Sequence, residues 1–220
     1  MVVRLADYLK RVGLISGAIF IVLFIVVAVR LTPIMNMDTA ITAAFGKWNF
    51  TFGDIFMNTI SFLGSTVATL IYAAIGFALL YISGLRIPAL WVALTYGSGM
   101  GVAFVIKQIV SRARPLGHIS DGFSFPSGHA LGTFMIITMA FIIVIPNLPT
   151  LKMQSWMGFG LITLGLLVME SRLYLQDHYL TDVVAGASFG IAWVVLTTWL
   201  YDKYADVLRQ RFAFFEYDEI

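Results

Sequence analysis

From Ile55 to Leu85 the chain runs for thirty-one residues without a charged side chain, and five further apolar stretches run for 17 to 20 residues. Crossing about 30 Å of hydrocarbon takes about 20 residues of helix. Six segments meet that length: Val12 to Val29, a span near Phe62 to Ser83 preceded by a shorter apolar turn, Ile87 to Ile106, Ser127 to Ile145, Met153 to Met169, and Val183 to Tyr201. Lipid offers backbone N–H and C=O groups no partner, so each is read as a helix. Composition agrees, since 60% of the 220 residues are apolar and 12% charged, against roughly 45–50% and about 25% in soluble domains. A soluble domain and a disordered chain are both excluded, and the absence of cysteine removes disulfides, thiolate metal sites and cysteine nucleophiles.

The expected architecture is therefore all-α, a polytopic bundle of six transmembrane helices forming a single domain over residues 1–220, with a tail from 202 to 220. The first segment follows Arg4, Lys10 and Arg11 but lacks a small-x-small cleavage site before Thr32-Pro33, so it reads as a retained anchor rather than a signal peptide. Met37 to Gly53, with Trp48 and Phe50, has two readings: a short helix lying in the interface, or an ordinary aromatic-belt loop.

Six spans put both termini on one side, where Arg4, Lys10, Arg11, Arg86, Lys152, Lys203, Arg209 and Arg211 lie. Opposite stand Arg30, Lys47, Lys107, Arg112, Arg114 and Arg172. The last four crowd into two short stretches at span ends and look bound to a site. Setting them aside leaves eight cations against two, which by the positive-inside rule makes the termini cytoplasmic and the third-to-fourth and fifth-to-sixth loops external.

Those two loops hold all three histidines, His118, His129 and His178, together with Asp121, Asp177 and Asp182. A cation within the membrane costs about 2.5–3.5 kcal/mol on insertion scales, so four at adjoining span ends imply a watered pocket that attracts an anion. Lys107 and Arg114 are two helical turns apart and are expected to share a face before Pro115 stops the helix. In Phe125-Pro126-Ser127-Gly128-His129, Ser127 is placed to cap the fourth span, and amides near Gly128 offer an anion site beside His129. The four-residue spacing from His178 to Asp182 sets a carboxylate under an imidazole, the arrangement of a nucleophile and its orienter.

These residues resemble the type 2 phosphatidic acid phosphatase superfamily, whose helical core is shared with vanadium-dependent haloperoxidases. Lys107 to Pro115 (KQIVSRARP) matches K-x6-R-P, Pro126 to His129 is P-S-G-H, and Ser171 to Asp182 (SRLYLQDHYLTD) matches S-R-x5-H-x3-D. Eleven fixed positions at about one in twenty each give about 10⁻¹⁴ per placement by chance. The motif core covers residues 107–182, and the six-span pattern extends the likeness over most of the chain.

The resemblance implies roles by position: Lys107, Arg114 and Arg172 as phosphate ligands, Ser127 and Gly128 as further phosphate contacts, His129 as general acid, His178 as nucleophile and Asp182 as its partner. It implies no metal or other cofactor. The expected activity is a lipid phosphatase in a bacterial plasma membrane, acting at the outer face on a lipid phosphate or diphosphate of the phosphatidylglycerol phosphate, phosphatidic acid or undecaprenyl diphosphate type, through a phosphohistidine. Its partner is then the membrane lipid, with no nucleic acid and no obligatory protein partner.

The alternatives are a phosphotransferase using the same site, a non-enzymatic anion- or lipid-binding protein, and a metallohydrolase built on His118, Asp121, His129 and His178. Outside the fixed positions, Arg112 reads either as an interfacial solvated cation or as a contact to a second phosphate or headgroup. Asp177 reads as solvated. Glu170 either braces Lys107 or Arg172 or reaches to the outer headgroups.

Overall fold

The computed structural model describes residues 3, 5–47, 51–115 and 122–211; His118, Asp121, Trp48 and Phe50 lie outside them. The described residues form eight α-helices and no strand: α1 (Asp7–Ala28), α2 (Thr32–Phe45), α3 (Thr51–Leu63), α4 (Thr66–Ile82), α5 (Arg86–Val110), α6 (Gly128–Ile143), α7 (Leu151–Tyr174) and α8 (Leu180–Arg211). A short 3₁₀ turn, Ile145–Asn147, follows α6.

Five helices, α6 counted with the 3₁₀ turn that follows it, are each long and apolar enough to cross a membrane, and α3 with α4, bent by 41° at their break, meets the same criterion as a pair. The expected apolar turn before the second membrane segment is thus the helix α3. The bend falls at Gly64-Ser65, where Ser65 Oγ accepts the Ala68 N–H at 3.1 Å and so starts a new helix instead of continuing the old one. The segment after α1 is also helical, but α2 begins at Thr32 with Pro33 in its first turn, five residues ahead of the expected start.

α6 and α8 form the centre: 56% of each apolar window is buried, against 17% for α1 and α7. Large apolar side chains on the outer faces, such as Leu14, Val67, Leu94 and Trp156, are exposed where hydrocarbon would cover them. α8 approaches α6 most closely at Gly186 and Gly190. A Cβ at Gly186 would lie 2.5 Å from the Ser127 carbonyl oxygen, and one at Gly190 would lie 2.8 Å from that of Leu131. Two glycines four residues apart on one helix face therefore let backbone meet backbone, as close-packed membrane helices require. On the other side, α1 packs on α8 with Phe20 and Phe189 stacked at 4.7 Å.

α1 runs antiparallel to α8, with Gly13 against Val195 and Phe20 against Phe189, and Trp91 near the start of α5 packs on Tyr201, so the start of α1, the start of α5 and the second half of α8 share one end of the bundle. The end of α5, the start of α6, the end of α7 and the start of α8 gather at the opposite end.

Candidate active site

α5 stops one turn after Lys107. Ser111 adopts a left-handed φ of 47° and its N–H closes on the Lys107 carbonyl at 2.9 Å. Arg114 is therefore not on the helix, and the expectation that it shares a helical face with Lys107 is corrected. The two cations converge because the loop folds back: the Ser124 N–H donates to the Arg112 carbonyl at 2.8 Å, and Ser124 Oγ donates to that of Ala113 at 3.2 Å. Lys107 Nζ donates to the Phe123 carbonyl at 2.8 Å. Arg114 donates from Nε to the Gly122 carbonyl and from Nη1 to that of Asp177, each at 3.0 Å.

Ser127 caps α6, its Oγ accepting the Ala130 N–H, as its position in the sequence predicts. Its own N–H donates to the Asp182 carbonyl at 3.0 Å, tying the start of α6 to the start of α8. The N–H groups of Gly128 and His129 open the helix and have no acceptor within it, the ordinary condition of a helix N-terminus. His129 lies within Coulombic reach of Lys107, Arg114, Arg172 and His178.

His178 is buried in the bend between α7 and α8. It precedes α8, so its pairing with Asp182 is not the side-by-side contact of two residues within one helix. Asp182 is the third residue of α8, and its Oδ2 reaches back to accept the Tyr179 N–H at 3.0 Å, as an acidic residue does in a capping box. That turn sets Oδ2 3.6 Å from His178 Nδ1, which has no hydrogen-bond partner closer than that carboxylate.

On the other edge of the ring, Nε2 lies 3.3 Å from Arg114 Nη1. A guanidinium can only donate, so Nε2 is assigned as the acceptor and the ring proton sits on Nδ1, facing Asp182. Burial disfavours the imidazolium and holds the His178 pKa down to about 4; Asp182 pulls it upward, and Lys107 and Arg114 add to the lowering. The ring is thus neutral near pH 7, with its lone pair directed among the cations.

Arg172, in the last turn of α7, is buried and pairs through Nη2 with Asp177 Oδ2 at 2.5 Å, while Nη1 donates to Ser61 Oγ on α3. Asp177 is therefore an ion-pair partner rather than a solvated acid, and it, not Glu170, is the carboxylate seen bracing Arg172. Arg112 also departs from the solvated reading. Its side chain is 10% exposed, its Nη1 donates to Asp182 Oδ1 at 2.6 Å and its Nη2 to Asp38 Oδ2 at 2.7 Å. Its guanidinium carbon stands 4.0 Å from the centre of the Tyr179 ring.

Asp38, on α2, escaped the sequence reading. One signal for it existed: it is the sole charged residue between Arg30 and Lys47, in an apolar stretch where an ionisable group needs a partner. The structure thus gathers the described members of the expected site, Lys107, Arg114, Ser127, Gly128, His129, Arg172, His178 and Asp182, at one end of the bundle. It adds Arg112, Asp38, Asp177 and Ser61 around them. Two members of the metal-centre alternative, His118 and Asp121, lie outside the described residues.

A membrane-spanning helical protein with a buried imidazole–carboxylate pair opening onto a cluster of cations is the class that this fold and these side chains define. Residues 88–206 match the sequence model of the PAP2 superfamily, and the chain belongs to that family. It is 33% identical over 103 residues to phosphatidylglycerophosphatase B of Bacillus subtilis, a match covering 44% of this chain and half the length of that relative. It is 26% identical over 174 residues to lipid A 4'-phosphatase of Bacteroides thetaiotaomicron, covering 70% of this chain and 72% of the relative.

Among solved structures, the transmembrane PAP2-type phosphatidylglycerolphosphate phosphatase from Bacillus subtilis superimposes with a TM-score of 0.74 at 26% identity, over 86% of this chain and 96% of that one. Aquifex aeolicus LpxE, at 20% identity and a TM-score of 0.55 over 73% and 94% of the two chains, shares the fold.

Proposed function

We propose that the protein is a membrane lipid phosphatase that removes the terminal phosphate of a lipid phosphate or diphosphate through a phosphohistidine on His178. The observation that carries this reading is the placement of the His178 ring, Nδ1 facing Asp182 and Nε2 facing the guanidinium of Arg114. Lys107, Arg114, Arg172 and the first amides of α6 are the groups that would neutralise the equatorial oxygens of a loose phosphoryl transition state.

In the first step the Nε2 lone pair forms a P–N bond as the ester P–O bond breaks, and a proton from His129 passes to the leaving oxygen. In the second step His129 takes a proton from water, the water oxygen bonds to phosphorus, and the P–N electrons return to Nε2 as inorganic phosphate departs. Asp182 holds the Nδ1 proton and offsets the positive charge that the ring gains on phosphorylation. None of these steps routes through a metal.

The names of the relatives favour a phosphatidylglycerophosphate or lipid A type of substrate over a soluble ester. The site lies at the end of the bundle opposite the start of α1 and the end of α8, and the excess of loop cations on that other end supports a site facing outward. The test is to give detergent-purified protein a panel of phosphatidic acid, phosphatidylglycerol phosphate, and isoprenyl mono- and diphosphates, and to measure released phosphate. At least one long-chain lipid is expected to be turned over faster than any water-soluble ester. Phosphate transfer to an added alcohol without free phosphate would favour a phosphotransferase, and equal turnover of soluble and lipid esters would contradict lipid specificity.

A further inference from the structure

We propose that Asp38 and Arg112 are positioning residues of the reaction: Arg112 clamps Asp182 so that one carboxylate oxygen faces His178, and Asp38 supplies Arg112 with a counter-charge of its own. The proposal rests on the reading of His178 as nucleophile and extends it to a helix, α2, that carries no family motif. Asp38 and Asp182 are both fully buried and are bridged by the one guanidinium of Arg112. The fork is divided between them, Nη1 on Asp182 Oδ1 and Nη2 on Asp38 Oδ2. Asp182 therefore has Oδ2 left for the His178 side, where it also accepts the Tyr179 N–H. Asp38 is fixed in turn by the N–H and hydroxyl of Thr181, the residue before Asp182.

The charge count gives this arrangement its chemical meaning. With His178 neutral, Asp38, Asp182 and Arg112 together carry one excess negative charge. When Nε2 gains a phosphoryl group while Nδ1 keeps its proton, the ring becomes positive and the cluster becomes neutral. Without Asp38, Asp182 would be neutralised by Arg112 and the phosphorylated ring would lose its counter-charge. Without Arg112, two buried carboxylates would face each other unbridged and Asp182 would lose the contact that fixes its rotation. Lysine is not equivalent, because a point charge cannot fork between two carboxylates.

The other charged groups near His178 are Arg114 at Nε2, Lys107 of α5, His129 of α6, and Arg172 of α7, whose carbonyl accepts the His178 N–H at 3.3 Å, and all of these are left unchanged by the test. Tyr179 stacks on Arg112 and stays in place.

The experiment measures kcat and KM on a lipid phosphate for wild type, Arg112→Gln, Asp38→Asn, the double variant, Arg112→Lys and His178→Ala. The chain has three histidines, so the His178 ring can be followed in the substrate-free proteins by nitrogen-15 NMR and assigned by its loss in His178→Ala. Arg112→Gln should lower kcat about 10²-fold with KM within about twofold, the scale of a reacting group misplaced by 1 Å. The same change should raise the pH at which His178 protonates, because an uncompensated carboxylate is left beside it.

Asp38→Asn should also lower kcat but should not raise that pH. The double variant restores the charge count and should return the His178 titration toward wild type, while Arg112→Lys should recover only part of kcat. Thermal unfolding in detergent identifies a variant that has lost its fold, and the opposed response of the two single variants is one that general loosening would not produce. A wild-type kcat and His178 titration in Arg112→Gln, with His178→Ala inactive, would overturn the clamp and leave the phosphatase reading standing. A fully active His178→Ala would overturn both.

Discussion

Replacing Gly186 with alanine adds one methyl group at the point where α8 meets α6. The new Cβ would stand 2.5 Å from the Ser127 carbonyl oxygen, 3.2 Å from Ala130 Cβ and 3.3 Å from the Leu131 nitrogen. Two of these neighbours are backbone atoms, so no rotamer change relieves the contact, and the helices must part by about 0.9 Å to restore an ordinary separation. Forcing an extra carbon into a packed interior costs typically about 1–3 kcal/mol.

The displaced atom belongs to Ser127, whose N–H holds the Asp182 carbonyl at 3.0 Å. In the proposed mechanism the shift is felt where the first amides of α6 would meet a phosphate on His178, and a 1 Å error there can cost about 10²-fold in rate. Gly186→Ala should unfold at a lower temperature in detergent and lose about two orders of magnitude in kcat. Gly97→Ala is the control, since nothing lies within 4 Å of its Cβ position and alanine is the better helix former by roughly 0.5–1 kcal/mol. A Gly186→Ala protein with the thermal stability and kcat of Gly97→Ala would refute the claim that this contact sets the site.

Three further outcomes follow from the charges. Burial delays protonation of His178 to about pH 4, so in the substrate-free protein nitrogen-15 NMR should show a neutral ring with its proton on Nδ1 down to about pH 5; an imidazolium at pH 6 would mean that burial does not govern it. Cationic side chains stand where a metal phosphatase places carboxylates, so activity should survive excess chelator and be inhibited by vanadate; loss in chelator that returns with magnesium or zinc would contradict the mechanism. Single cysteines introduced at His118 and Asp121 should react with an impermeant thiol reagent on intact cells, and one at Arg86 or Lys152 should not; the reverse pattern would place the site on the cytoplasmic side.

The helices that cross the membrane are legible in the sequence because charge marks their ends. The bend at Gly64-Ser65 is not, because it falls inside the one uncharged run from Ile55 to Leu85 and the Ser65 cap marks it. Spacing picks out the residues that gather at the site but not always their geometry. Lys107 and Arg114 converge through a loop that leaves the helix at Ser111, and His178 meets Asp182 through a helix entry rather than a helix face. The roles of Arg112 and Asp38 are not legible locally because their partners come from distant parts of the chain, and Asp177 meets Arg172, five residues back, only through the turn that ends α7. Asp38 lies 74 residues from Arg112 along the sequence, and no local pattern records such a pairing.

The most direct test of the central claim is rapid-quench labelling with a phosphorus-32 aryl phosphate, chosen because a good leaving group needs no protonation. His129→Ala should accumulate a covalent phosphoenzyme that is acid-labile and base-stable, since attack by His178 proceeds while the water step lacks its base. His178→Ala should show no label. An acid-stable phosphoenzyme, or one that persists in His178→Ala, would contradict the assignment of His178 as the nucleophile.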